Sequence, residues 1–248
     1  MAKQRITAQA GHFYAVGVGP GDPELVTLQA ARLIESADVI VAPQSKNSQT
    51  SLALAAVEDF LHDQEIIVLR YPMTRENNKT RQRWGELATQ VAELCQQGKA
   101  VVQVTLGDPL IYATSSYLLA ALGALLPPEK LHLTPGISAF QMVASRFGQP
   151  LTLQEDRLQI MAATDLGAVE QALSGCETLV LFKAATALPE LLELLKRHDL
   201  LARASLVCAG GQGEGERVVA DLSRWEPQEL GYMTTMIIHL GQRGWQEL

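Results

Sequence analysis

Short apolar runs recur along the chain, separated by longer amphipathic stretches, and this rhythm predicts strands alternating with helices. The clearest run is VVQVTL at 101–106, rich in β-branched and apolar residues. It predicts a strand buried on both sides. The run breaks at Gly107-Asp108-Pro109 and passes into an apolar, hydroxyl-bearing segment. Similar runs predict strands at 12–18, 39–41, 66–69 and 131–134. Helices are expected after Thr27, with Leu28, Ala31 and Ile34 on the apolar face, at 51–61, at 74–97 up to the stop at Gly98, and onward from 138 to about 147. Gly148-Gln149-Pro150-Leu151 reads as a linker. Beyond it come strands at 158–161, 178–182, 205–208 and 233–240, with helices at 168–173 and 188–198. The expected fold class is therefore α/β, with an N-terminal domain over 1–148 and a C-terminal domain over 149–248.

Composition narrows the class. The 248 residues can form one large or two medium domains, and a hydrophobic content of 47% is enough for substantial cores. A formal net charge of -7 disfavours a nucleic-acid partner. No apolar run reaches the roughly 20 residues of a membrane helix, and 1–11 lacks a signal peptide's apolar core. A cytoplasmic protein is expected. Cys95, Cys176 and Cys208 are far apart, and the five histidines have no metal-site spacing, so neither a disulfide framework nor a metal centre is expected.

Candidate chemistry gathers at the predicted ends of strands. In a mostly parallel sheet, ligands bind beyond the carboxyl ends, which places Gly107, Asp108, Thr114, Ser115 and Ser116 where a small molecule docks; a plain turn before a capped helix is the other reading. Gly17, Gly19 and Gly21 permit close backbone approach. Asp22 replaces the third glycine of a dinucleotide fingerprint, and no Lys-Ser/Thr follows to make a Walker loop. Asp22 suits either a cap or a ligand-facing carboxylate. Arg75, Lys79, Arg81 and Arg83 begin the charged helix, and Lys46 lies in a polar loop. These are either a solvated face or a means of holding carboxylates. The acidic, Gly-rich 210–216 segment is expected to be a hairpin or mobile loop.

In order along the chain stand GVGPGDPELVT, ADVIVAP, YPM, TLGDPLIYAT, PGISAF and LVLFK. This series resembles the tetrapyrrole (precorrin) methyltransferase family. The resemblance implies two α/β domains with S-adenosylmethionine in a cleft between them, leaving as S-adenosylhomocysteine, and a homodimer. It implies cofactor binding by Gly107, Asp108, Ile111, Thr114 and Ser115, by Ile137 and Ser138, and by Phe182 and Lys183. The first loop, Gly19, Pro20 and Gly21, would face the tetrapyrrole, with Lys46, Arg75, Arg81 and Arg83 as candidates for its carboxylates. Asp22 is the candidate proton acceptor; no metal is required. ADVIVAP, YPM and Trp84 look most like the branch that methylates carbon 20 of precorrin-2 or cobalt-factor II. Two departures stand out: Phe182 replaces an expected Met, and Gly231-Tyr232-Met233-Thr234 replaces Pro-Tyr-Phe-Ser. Methylation at another ring position and non-catalytic tetrapyrrole binding are the alternatives.

Overall fold

A computed structural model describes residues 5–44, 51–71 and 77–241, with side chains of the helix that begins at Asn77 described from Thr80 onward. It separates into two compact units, Met1–Ser138 and Ala139–Leu248.

The first unit contains β1 (Phe13–Gly17), α1 (Leu28–Glu35), β2 (Val39–Gln44), α2 (Leu52–Ala55), β3 (Glu65–Arg70), α3 (Asn77–Gln96), β4 (Val101–Thr105), α4 (Ser115–Leu122) and β5 (Leu131–Thr134). Its sheet has the order β3-β2-β4-β1-β5, with every pairing parallel. Side chains alternate across the strands with period two, so each strand feeds two cores. Phe13, Ala15, Val39, Val41 and Val101 pack with Leu87 and Val91 of α3 and Leu118 and Leu122 of α4. Tyr14, Val16, Ile40, Val102 and Val104 pack instead with Leu33 and Ile34 of α1 and Ala53 of α2. Coverage of both faces is why the central strands read as unbroken apolar runs. Because β4 inserts between β1 and β2, strand order reverses beside β1, and ligand crevices form at such a reversal.

Two local expectations change here. Leu28 is 74% exposed, because the buried face of α1 carries Ala30, Ala31, Leu33 and Ile34, and two residues' rotation places Leu28 opposite them. The single helix expected over 51–61 is interrupted: α2 ends at Ala55, Val57 leaves helical geometry, and a 3-10 turn follows at Glu58–Phe60. That break lets Phe60 and Leu61 pack on the core that already holds Ala53, Ala56 and Val57.

The second unit contains α5 (Ala139–Phe147), β6 (Leu158–Ala162), α6 (Leu166–Ala172), β7 (Thr178–Phe182), α7 (Leu188–Arg197), β8 (Ala204–Cys208), β9 (Arg217–Val219) and β10 (Thr234–His239). Its sheet has the order β6-β7-β10-β8-β9; β6 and β7 are parallel, and β10 runs antiparallel to both β7 and β8. Val169, Leu191, Leu194 and Leu195 from α6 and α7 cover one face. Helix α5 packs with β10. The unit boundary therefore precedes α5, whereas the Gly148 linker signal follows it. The short β9 pairs antiparallel with β8, so the Gly-rich 210–216 segment is the connection of a hairpin. Among the described residues, no helix is long and apolar enough to cross a membrane.

Candidate functional site

In the first unit, three loops leave the carboxyl ends of adjacent strands β4, β1 and β5 and are joined through backbone. Val18 donates its N–H to Thr105 O at 2.9 Å, Gly107 donates to Gly19 O at 2.6 Å, and Gly19 donates to Gly107 O at 3.4 Å. A Cβ on Gly17 would stand 2.6 Å from both Gly107 O and Gly136 N, and one on Gly136 would stand 2.2 Å from Gly107 O. Contacts this short leave room only for glycine. Gly19 adopts φ +77° and Gly107 φ +75°, in the left-handed region.

Asp108 completes the joining. Its Oδ1 accepts the Leu110 N–H at 2.9 Å and its Oδ2 accepts the Gly136 N–H at 3.1 Å. The carboxylate thus fixes its own turn and ties it to the loop after β5. Gly107 behaves differently from its neighbours: nothing lies within 4 Å of the point where its Cβ would be. It is a glycine for conformation on one side and offers open approach on the other. The hydroxyls of Thr105, which ends β4, and of Ser115, which opens α4, are buried and have no hydrogen-bond partner among the described residues. Buried polar groups are normally paired, so these two hydroxyls suit a polar ligand. Ser116 donates its hydroxyl to Pro109 O at 2.8 Å and holds the start of α4 to the loop. Ile111, Thr114 and Ile137 are half-buried at this edge, and Ser138 is buried.

The first glycine loop carries Pro20, which is buried, and Gly21 and Asp22, which are half-buried. Asp22 Oδ1 accepts the Glu24 N–H at 3.0 Å and caps the 3-10 turn Pro23–Leu25, while Thr27 caps α1 through the Ala30 N–H at 3.2 Å. The capping reading of Asp22 is thus realised for one oxygen. Among the basic candidates, Arg81 and Arg83 are exposed on α3, and Arg83 pairs with Glu86 at 2.9 Å, as on a solvated helix face. Lys46 and Arg75 lie outside the described residues, as does the side chain of Lys79.

In the second unit, one sheet edge carries a comparable set. Phe182 ends β7 and meets Phe140 edge-on, with ring centroids 6.4 Å apart. Lys183 is left-handed at φ +60°, and its Nζ lies 5.7 Å from the centroid of the Tyr232 ring. Ala209, just after β8, is also left-handed at φ +51° and donates to Met233 O at 2.9 Å. A Cβ on Gly210 would stand 1.9 Å from Met142 Cε. Two non-glycine residues held left-handed at one edge are the kind of local strain that collects at ligand sites. Thr105 and Ala209 were not singled out by sequence. For Thr105, the available signal was its place at the strand end before Gly107.

The matched region is long. A family model described as tetrapyrrole (corrin/porphyrin) methylases matches residues 12–224. The chain belongs to the tetrapyrrole methylases. This methylase is 31% identical over 232 residues to the cobalt-precorrin-2 C(20)-methyltransferase of Salmonella typhimurium, covering 92% of this chain and 96% of that protein. It is 31% identical over 216 residues to the precorrin-2 C(20)-methyltransferase of Sinorhizobium sp, covering 81% and 84%. The fold matches that of the uroporphyrin-III C-methyltransferase from Thermus thermophilus complexed with S-adenyl homocysteine, with a TM-score of 0.62, 18% identity, and coverage of 92% of this chain and 98% of that one.

Proposed function

We propose that this tetrapyrrole methylase transfers a methyl group from S-adenosylmethionine to carbon 20 of precorrin-2 or cobalt-factor II in cobalamin biosynthesis. The observation that carries the cofactor assignment is the open approach at Gly107 together with the unpartnered buried hydroxyls of Ser115 and Thr105. The names of the two relatives support the ring position.

S-adenosylmethionine, when bound, supplies an already activated methyl group, so the protein's own work is positioning. Gly107 gives backbone access, Ser115 and Thr105 supply hydroxyls, and Ile111, Thr114, Ile137 and Ser138 are the other proposed cofactor residues near them in sequence. Asp108 acts by holding the loop. Phe182 and Lys183, at the end of β7, are further proposed cofactor residues. For the substrate, Gly19, Pro20 and Gly21 are the proposed backbone surface, with Lys46, Arg75, Arg81 and Arg83 for its carboxylates. Asp22, with one oxygen committed to Glu24, is the proposed acceptor of the proton released from the methylated carbon. A cytoplasmic homodimer is part of the proposal, and light scattering at micromolar concentration should give twice the monomer mass.

Calorimetry with S-adenosylhomocysteine tests the cofactor assignment. Saturable binding by the parent, weakened at least ten-fold in Ser115→Ala combined with Thr105→Val, is expected. Equal affinity in parent and double variant would remove the hydroxyls from the site.

A further inference from the structure

The first unit holds three aromatic rings in contact one after another, the inner pair tilted and the outer pair stacked, with the outermost ring in solvent. Tyr71 follows β3, Trp84 lies in α3, and Tyr117 lies in the first turn of α4. The Tyr71 and Trp84 ring centroids are 4.8 Å apart at 50°, and the Trp84 and Tyr117 centroids are 5.8 Å apart at 30°. Tyr71 and Trp84 are buried, at 6% and 5% exposure, whereas Tyr117 is 63% exposed. The inner end is anchored: Gln103 Nε2 on β4 donates to the Tyr71 hydroxyl. Burial pushes the Tyr71 phenol up to about 12, so the group stays neutral in ordinary conditions and the anchor persists.

A single exposed tyrosine is unremarkable on a protein surface. This one is backed by a buried indole on a buried phenol, and its helix is held to the 107–114 loop through Ser116 and Pro109. The same loop exposes Leu110 and Tyr112, at 62% and 53%. The ring is thus presented against the Trp84 indole, in the first turn of the helix that follows the loop after β4, and ligands of parallel sheets bind at such strand ends. A surface ordered before binding loses little side-chain freedom when it is covered. What it fits is a flat, conjugated, largely apolar ring system, through offset stacking.

We infer that Tyr117, backed by Trp84 and Tyr71, is a stacking platform for one face of the tetrapyrrole macrocycle. The inference rests on the tetrapyrrole reading given above and adds a substrate-contacting residue that the motif series does not mark. Trp84, Tyr71 and Gln103 are positioning residues in it.

The test compares Tyr117→Ala and Tyr117→Phe with the parent. Tyr117 is exposed, so neither variant threatens the core. Each protein is titrated with cobalt-factor II, followed by macrocycle absorbance, and separately with S-adenosylhomocysteine by calorimetry. Tyr117→Ala should weaken macrocycle binding about five- to ten-fold. Tyr117→Phe should match the parent, and cofactor affinity should be unchanged in both. If Tyr117→Ala binds cobalt-factor II as tightly as the parent, the platform is refuted while the tetrapyrrole reading stands. If Tyr117→Ala instead halves the mass seen by light scattering, the ring is a contact between copies and the platform is equally refuted. If the parent itself binds neither cobalt-factor II nor precorrin-2, the functional reading fails, and the platform with it.

Discussion

Asp108 accepts the Gly136 N–H at 3.1 Å, so one carboxylate at the end of β4 holds the loop that follows β5, two strand positions away across β1. The other oxygen is committed to Leu110. Asp108→Ala removes the acceptor for two backbone donors, and a lost charge-assisted bond of this kind costs about 1–3 kcal/mol. The variant should fold with a lowered Tm and bind S-adenosylhomocysteine at least ten-fold more weakly. Asp108→Asn, keeping one acceptor oxygen, should lie between. Calorimetry and thermal melts on all three proteins decide this, and an Ala variant with parental affinity would contradict the loop-holding role.

The glycines at this edge separate structure from ligand access. Gly17→Ala places a methyl group 2.6 Å from two backbone atoms, Gly107 O and Gly136 N, neither of which can swing aside. Overpacking typically costs about 1–3 kcal/mol and more where backbone must move, so this variant should melt markedly lower or fail to fold. Gly107→Ala meets nothing within 4 Å. Its cost is the left-handed φ, roughly 1–2 kcal/mol, and it should fold but lose cofactor affinity. If the two variants melt alike, the distinction is wrong.

Acid should weaken the fold in two steps. His12 Nδ1 and His132 Nε2 are 2.8 Å apart, with rings stacked at 5.1 Å, one nitrogen donating to the other. Burial, and then the His12 charge, holds the His132 pKa below its usual value. A lowered histidine pKa favours the neutral form in the fold, so the unfolded chain binds more protons and stability falls as pH drops below about 6.5. Glu177 is held down to about 2, chiefly by the Arg157 side-chain hydrogen bond. Its contribution is complete above the unfolded carboxylate range and is lost as pH falls from about 4.3 toward 2. Urea midpoints measured across this range should show both declines. His132→Gln should flatten only the first, and Arg157→Gln only the second.

The basic candidates predict a salt effect. Exposed ion pairs contribute about 0–1 kcal/mol each and are screened over about 10 Å at 0.1 M salt. Arg83 already faces Glu86, so Arg83→Gln alone should change macrocycle binding little. The combined Arg75, Arg81 and Arg83 to Gln variant should bind several-fold more weakly with a shallower salt dependence. An unchanged affinity and salt slope would assign these residues to a solvated face.

The alternating sheet pattern was legible because burial on both faces writes itself as apolar runs: 178–182, TLVLF, is a strand with the expected bounds and is almost wholly buried. Leu28 misled because hydrophobicity marks a residue's preference, whereas helix phase decides which face it occupies. The break after α2 carries no glycine or proline to announce it. At the candidate site, the sequence pointed to Gly107, Asp108 and Ser115; Gly107 and Asp108 follow the end of β4, and Ser115 opens α4. The partners that give Asp108 its role, Leu110 and Gly136, are backbone groups, and backbone donors leave no mark on residue identity. Tyr71, Trp84 and Tyr117 are 46 positions apart from first to last, and only the fold brings them into contact.

The central claim is methyl transfer to one carbon of one ring. The most direct measurement is incubation with precorrin-2 or cobalt-factor II and S-adenosylmethionine carrying an isotopically labelled methyl group, with mass and carbon NMR of the product. One labelled methyl group at carbon 20, absent without the protein, is the predicted result. A label at another ring carbon, or no transfer to either macrocycle while S-adenosylhomocysteine still binds, would contradict it.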